Sequence, residues 1–517
     1  MIEQRIEKRE DLLNFKRKFA KEHKIECPKN VDLLKVYKNL LKKGKIRKSK
    51  ILEKILRKRP VRSLSGIVNI SVLTKPYPCP GKCIFCPKEK GIPKSYLSGE
   101  PAVERAKKLN FDPFLQMKER IESLEEEGHP TEKIELRIIG GTFSFYPKKY
   151  QIWFVKRCFD AANKGKSKNL NEAQRKNEKA KNKIVGISVE TRPDFIDLQE
   201  IKTLRNLGVT LVELGVQTVF DEILRKNLRG HSVKDTILAT RLLKNAGFKV
   251  LYQVMPNLFG SNLKKDEEMF EQLFKNQNFR PDYLKIYPCC VVKEAPIYKL
   301  WKEKKFKPYT KEELINLLIK IKQKIPFYVR IQRISRDIPS FRILEGGAKI
   351  LNLRQIVAER MEAKNISCKC IRCREVKERY DLKEKVYLFR EDYFASDGRE
   401  IFLSWENKNR TKLFSILRLR IPPKENEVAS IFPVLKNSAI IREIQTFGEM
   451  VPTKEKKIAP QHRGLGKKLI KEAEKIVKKE FGLKKIAVIS GVGVRDYWRK
   501  LGYKLKETYM VKVLRTN

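Results

Sequence analysis

From about residue 63 to residue 345 the chain alternates short apolar runs with longer stretches whose apolar positions recur every three or four residues. The runs IELRIIGG (134–141), KIVGISVE (183–190), VTLVELGV (209–216), FKVLYQVM (248–255) and DYLKIYP (282–288) predict buried strands. Between them FLQMKERIESLEEEG (114–128), DTILATRLLKNAG (235–247) and KDEEMFEQLFK (265–275) carry helical period, the first two stopped by glycine. Buried strands separated by helices predict an α/β unit with a parallel sheet, open or closed as a barrel. The polar tract 164–183 predicts a surface helix or loop, and no internal repeat is visible.

The texture changes after about residue 380. YLFREDYF, EIFLSWEN, LFSILRLRIP and AIIREIQTFG alternate as strands of an antiparallel meander. QHRGLGKKLIKEAEKIVKKEFG (461–482) follows, a glycine turn opening a long amphipathic helix, then KIAVISGV, a short helix and a last strand, TYMVKVL. This predicts a separate α+β domain. The expected division is a basic N-terminal region (1–62), an α/β domain (63–345), a linker (346–380) and the C-terminal domain (381–517).

Composition narrows the function. Of 517 residues, 115 are Lys or Arg against 62 Asp or Glu, a net charge of +53. That excess points to a polyanionic partner, nucleic acid first, and two basic runs, LKKGKIRKSK (41–50) and LRKRPVRS (56–63), concentrate it near the start of the chain. The charged N-terminus lacks the apolar centre of a signal peptide, and no run is long enough to cross a bilayer, so a cytoplasmic protein without membrane contact is expected. Ten cysteines then argue for metal or catalysis rather than disulfides. Cys27 and Cys158 stand alone and read as ordinary thiols.

In SVLTKPYPCPGKCIFCPKEKG (71–91), Cys79, Cys83 and Cys86 share one short loop. A closed zinc site usually wants four ligands at paired spacing, whereas three cysteines suit a 4Fe–4S cluster with one iron left open. The spacing resembles the cluster loop of radical S-adenosylmethionine (SAM) enzymes, with zinc the competitor. Gly140, Gly141 and Thr142 follow a strand where such enzymes place a glycine pair against the SAM amino group. Glu190, Glu213 and Gln217 add polar groups at strand ends, where ligand sites of parallel α/β proteins lie; Glu213 could equally pair with a structural arginine. In the C-terminal domain Gln461-His462-Arg463-Gly464-Leu465-Gly466 can cradle a pyrophosphate at a helix N-terminus. It resembles the acetyl-CoA loop of GCN5-related acetyltransferases (GNATs), with His462 no more than a phosphate or RNA contact. Tyr497 is the candidate acid for the departing thiolate, although the usual tyrosine position, four before Gly502, holds Trp498. Cys368, Cys370 and Cys373, with Cys289 or its neighbour Cys290, can form a tetrahedral zinc site; a second cluster or free thiols are the alternatives.

PVRSLSGI, KPYPCPGKCIFCP, SYLSGEPAVERA, FDPFLQMKERI, GGTFS, ETRPD, ELGVQT, NLRGH, RPDYLKIYP, RISRDIPS and IAVISGVGVRDYWRKLGY occur in this order from about residue 55 to the C-terminus. With these motifs the chain resembles the family of the catalytic acetyltransferase subunit of Elongator, in its stand-alone archaeal or bacterial form. The resemblance implies a radical SAM partial (β/α) barrel followed by an α+β GNAT domain. It implies modification of uridine 34 of tRNA: a SAM-derived radical takes hydrogen from the methyl of acetyl-CoA, and the carbon adds to C5 as a carboxymethyl group. The cofactors would be a 4Fe–4S cluster, SAM and a structural zinc, with acetyl-CoA as substrate. The partners would be a tRNA anticodon stem-loop and an external electron donor, with room for a homodimer. Lys285, Tyr287, Arg333 and Arg336 are candidates near the base, Lys285 with a catalytic role. Tyr252-Gln253-Val254-Met255-Pro256-Asn257-Leu258-Phe259 departs from the family's more usual H-M-M-P-D-L-P strand end. The rival function is acetylation of protein lysines, with the barrel as an RNA-binding scaffold. A non-catalytic tRNA-binding module and a methylthiolating enzyme fit the cluster and CoA motifs less well.

Overall fold

The computed structural model describes residues 6–58, 60–350, 352–377, 381, 384–448 and 464–514. Three helices, Arg9–Glu22, Asn30–Lys42 and Lys50–Leu56, close around Leu12, Leu34, Tyr37 and Leu56. The Arg57 Nε–H donates to the Gly128 carbonyl at 2.8 Å and ties this bundle to the end of helix Pro113–Glu126.

Seven strands then form a parallel sheet: β1 (Val68–Leu73), β2 (Lys133–Ile139), β3 (Lys183–Thr191), β4 (Leu211–Gln217), β5 (Lys249–Val254), β6 (Tyr283–Ile286) and, beyond the short β7 (Cys290–Val292), β8 (Arg330–Ile334). Their order follows the chain, β1-β2-β3-β4-β5-β6-β8, and no ladder joins β8 to β1, so the barrel is partial. β9 (Ile343–Gly346) pairs antiparallel with β7. The five apolar runs coincide with β2 to β6. The outer strands β1 and β8 did not stand out in the sequence. VNISVL and RIQRI mix polar with apolar residues, because an edge strand has a neighbour on one side only.

The second sheet has the order β10-β11-β12-β13-β14-β16-β15, from β10 (Tyr387–Ala395), β11 (Gly398–Glu406), β12 (Leu413–Ile421), β13 (Ala439–Thr446), β14 (Lys485–Val488), β15 (Lys504–Lys506) and β16 (Tyr509–Val513). All pairs are antiparallel except β13 with β14. Alternation divides its two faces. Leu403, Leu417, Ile441 and Val488 pack with the amphipathic helix Leu465–Lys479. Phe402, Ile416, Ile440 and Ala487 join the core that also holds the parallel strands. The two sheets therefore share one continuous core.

Buried charge reinforces that junction. Asp282, just before β6, faces Arg442, Arg418 and Lys244, while Glu400 takes Arg420 at 2.8 Å and Arg442 at 2.9 Å. Glu443 accepts from Arg418 Nε at 2.7 Å and from the Tyr283 hydroxyl. The tract 164–183 holds a surface helix, as expected, with one face buried. Its helix Leu170–Lys179 buries Glu178, which pairs with Arg495 and Arg499 of the second sheet's unit. The partners of Glu178 lie more than three hundred residues away in sequence. No helix of the described residues is long and apolar enough to cross a membrane.

Candidate functional site

The C-terminal strand ends gather most of the residues expected at one mouth. Gly140 and Gly141 end β2 with positive φ; a Cβ on Gly140 would lie 1.9 Å from Thr74 Oγ1, so only glycine lets the turn pass β1. Thr142 begins the next helical turn, Glu190 stands at the end of β3, and Gln217 ends β4 in the left-handed region. A left-handed non-glycine residue at a strand end costs backbone energy that the fold must offset elsewhere. The Glu190 carboxylate accepts from Tyr96 at 2.8 Å and from Gln253 at 3.2 Å. Gln253, within the segment that departs from the family pattern, also donates to Glu213.

Lys285 completes this row inside the barrel. Its ammonium pairs with Glu213 and stands 3.8 Å from Glu190. Burial opposes the charge on Lys285, but Glu213, Tyr287 and Glu190 outweigh it and hold the ammonium above its ordinary value. Glu213 is held below the usual carboxylate range in the same way, burial being outweighed by Lys285 and Arg137. The strand-end carboxylate is thus paired with a lysine rather than the arginine of the structural alternative. Of the other candidates, Arg333 turns to Asp337 and Arg336 is tied to the Ser95 carbonyl beneath the cysteine loop.

That loop carries Cys79, Cys83 and Cys86 across the same mouth. Cys83 is buried, and burial, with Cys83 beside it, pushes the Cys86 thiol up to about 11. Arg229 donates from Nη1 to Cys83 Sγ at 3.5 Å, and Lys94 donates to the Gly81 carbonyl. Three thiols on a single zinc would stand about 3.8 Å apart, given zinc–sulfur bonds near 2.3 Å. The loop thiols do not gather within 4.8 Å of one another, and one cysteine per iron of a cluster needs that wider spread. Buried cations beside these sulfurs match a multi-iron, net-negative group. The loop residues therefore fit a cluster better than zinc.

Cys368, Cys370 and Cys373 do gather within 4.8 Å, with the Lys322 ammonium donating to Cys373 Sγ at 3.4 Å. Hydrogen bonds from Cys368 and Cys370, with Lys322, draw the Cys373 thiol down. Cys289, expected as a ligand with Cys370 and Cys373, is not part of this group, which is a correction. Cys289 follows the C-terminal end of β6, whereas the Ile371 amide bonds the Val329 carbonyl just before β8 begins. The two positions lie at opposite ends of a parallel sheet, about 13 Å of strand apart. Cys290 likewise stays at the upper end, beside Arg336 and Glu100.

Below the barrel, a cavity of about 1950 Å³ runs from the lower ends of the parallel strands to the second sheet. Asn69 and Arg137 line it on one side, and Gly464, Gly466 and Tyr497 on the other. Gly464 caps helix Leu465–Lys479, Leu465 is buried, and Gly466 lies against Thr446 and Ile444 of β13. Gln461 and His462 lie outside the described residues. Tyr497 is 38% exposed, while Trp498 is buried against Tyr503; the residue at the usual tyrosine position is thus core and its neighbour faces the cavity. β13 and β14 pair only from Ala439 to Ile441, leaving the Arg442–Thr446 half without a β14 partner.

The radical SAM superfamily matches residues 77–273, and the radical SAM C-terminal domain matches residues 281–363. A tRNA uridine(34) acetyltransferase of Methanocaldococcus infernus is 48% identical, covering 92% of this chain and 91% of its own. One from Dehalococcoides mccartyi is 42% identical, covering 88% and 100%. The chain belongs to the tRNA uridine(34) acetyltransferase family. Elongator complex protein 3 of Homo sapiens, 38% identical over 90% of this chain and 87% of its own, belongs to the same group. The solved structure of the archaeal Methanocaldococcus infernus Elp3 with an N-terminal deletion superposes with a TM-score of 0.76, at 44% identity, covering 87% of this chain and all of that one. The family is one of radical SAM enzymes, and with it come a 4Fe–4S cluster and SAM as cofactors.

Sequence reasoning missed two residues of that mouth. Arg192 and Arg229, in ETRPD and NLRGH, come to the cysteine loop from positions more than one hundred residues downstream. Both motifs were visible, but nothing in their spacing tells that the arginines point at Cys83.

Proposed function

We propose that this chain modifies uridine 34 of tRNA, joining the methyl carbon of acetyl-CoA to C5 of the uracil in place of its hydrogen, with water releasing CoA from the thioester to leave a carboxymethyl group. The cavity common to both sheets carries this reading: it gives a thioester held at the second sheet a route toward the barrel that holds SAM. Cys79, Cys83 and Cys86 would hold the cluster, with Gly140, Gly141, Thr142, Glu190 and Gln217 around SAM. When bound, the cluster and SAM supply a carbon radical able to take hydrogen from an unactivated methyl group. Lys285, kept charged by Glu213 and Glu190, offers a cation inside the barrel for a carbonyl oxygen of either substrate.

The second unit is read as a GNAT domain. The parallel β13–β14 pair that parts after Ile441, and the glycine turn opening helix Leu465–Lys479, support it. Backbone N–H groups at that helix start suit a pyrophosphate, the free half of β13 suits the amides of pantetheine, and Tyr497 is placed to protonate a leaving thiolate. Burial raises the Tyr497 hydroxyl, which keeps it protonated as such an acid must be. The Cys368, Cys370 and Cys373 group is read as a structural zinc site, the Lys322 ammonium favouring the thiolate form. The basic helical bundle and the net charge of +53 support a tRNA anticodon stem-loop as partner. The uridine would leave its stack to reach the mouth.

The test supplies anaerobically reconstituted protein with SAM, a reductant, acetyl-CoA and unmodified tRNA, followed by mass spectrometry of the nucleosides. Carboxymethyl-uridine and 5′-deoxyadenosine are expected, and both should vanish in Cys83→Ala while tRNA binding persists. A loaded wild-type enzyme that makes neither would overturn the reading.

A further inference from the structure

Beside Cys83 lies a concentration of buried positive charge. The Arg229 side chain is buried, and its only hydrogen-bond acceptors among the described residues are the Gly215 carbonyl at 2.7 Å and Cys83 Sγ at 3.5 Å. Its Nε–H is buried without a partner. Arg192, with a side chain 5% exposed, holds Asp194 through Nε and Nη2 at 2.9 and 2.7 Å. Its Nη1 is also buried and unpartnered. That atom presses into the cysteine loop itself: a Cβ on Gly81, between Cys79 and Cys83, would stand 2.6 Å from Arg192 Nη1 and 3.4 Å from Cys83 Sγ. Two guanidiniums therefore converge on one sulfur, with one carboxylate between them.

A buried cation lacking an anion costs several kcal/mol, and a buried donor lacking an acceptor costs more on top. An anion at the cysteine loop would offset that cost. The group that Cys83 would help to hold is such an anion. With three thiolate ligands an oxidised 4Fe–4S cubane carries one net negative charge, and one-electron reduction raises it to two. Net charge and hydrogen bonds to the sulfurs are among the factors that set the potential of such clusters.

We propose that Arg229, supported by Arg192, is a positioning residue that tunes the cluster: it donates to Cys83 Sγ, and the pair offsets the negative charge gained on reduction. The electron comes from an external low-potential one-electron donor, no bond of the protein breaks, and the reduced cluster is the state that the two cations favour. The inference rests on the cluster reading of the cysteine loop. It goes further, naming two residues outside the loop that set how readily the cluster accepts its electron.

The test uses the full chain, reconstituted anaerobically with iron and sulfide, in a redox titration followed by electron paramagnetic resonance. Arg229→Gln should take up the same iron as wild type yet hold about tenfold less reduced cluster at a fixed potential, a shift of about 59 mV for one electron. Arg229→Lys, which keeps the charge and loses the fork, should fall between the two. Arg192→Gln should shift the same way by less. If Arg229→Gln loads no iron, the other two variants decide by the same criterion. Loaded variants whose midpoints match wild type overturn the proposal. Wild-type protein that takes up no iron overturns the cluster reading and the proposal with it.

Discussion

Two groups of buried cations in this molecule are handled differently. At the lower mouth, against the second sheet, Lys244, Arg418, Arg420 and Arg442 are all buried, and each faces Asp282, Glu400 or Glu443. At the upper mouth Arg229 is also buried and has a carbonyl and a thiol for company. A fully paired network can act as a staple, because its desolvation cost is met within the protein. A guanidinium that faces a thiol of the cysteine loop instead suits an anion held there. The difference separates structure from function at two buried sites, which composition alone could not do.

Removing an anion from the staple should produce the largest effect. Asp282→Asn strips Arg442, Arg418 and Lys244 of a common partner; uncompensated buried charge of this kind costs about 3–5 kcal/mol. A fall in melting temperature of about 10 °C is expected by calorimetry. Arg229→Gln in the metal-free protein should leave the melting temperature within about 1 °C of wild type or raise it, since an unpaired buried cation is relieved. Equal falls in the two variants would erase the contrast.

The two cysteine groups sharpen it further. Cys370→Ala removes a fully buried thiol from the trio near the lower mouth. Elemental analysis should then show zinc lost and reconstituted iron unchanged, with a melting temperature lowered by about 5 °C, the stabilisation that a bound structural ion no longer supplies. Loss of iron in the same variant would show that the two groups are not independent.

The smallest expected effect is a slope. Burial, with Arg229 and Arg192, lowers the His231 imidazole to about 2 from its ordinary 6.5. The unfolded chain therefore takes up this proton while the folded one does not, so stability declines as pH falls below 6.5. The decline is at most about 1.4 kcal/mol per pH unit. A melting series between about pH 7.5 and pH 5 should flatten in His231→Gln. An unaltered slope would mean that the imidazole is not held neutral beside the two guanidiniums.

Much of this protein was legible before its structure. β2 to β6 announced themselves because central parallel strands are apolar on both faces, and the second sheet did so through its succession of strand-length apolar segments. The cysteine loop, the glycine pair at Gly140 and the turn at Gly464 were visible because their chemistry is local: a few residues, close in sequence, with one backbone requirement. The outer strands β1 and β8 were not, since half of their residues face polar space. Cys289 misled for a related reason: sequence proximity to a strand end does not say which end of the sheet its intended partners will reach.

By itself the sequence determined the strand and helix periods, the loop that presents three thiols, the glycine turn of the second unit and the basic surface. All of these follow from residue type and short spacing. Only the tertiary structure decided that Glu178 binds the second unit, that Lys285 meets Glu213, and that Arg192 and Arg229 converge on Cys83. Whether a buried charge is paired depends on which distant segments the packed core brings together, and no local pattern encodes that.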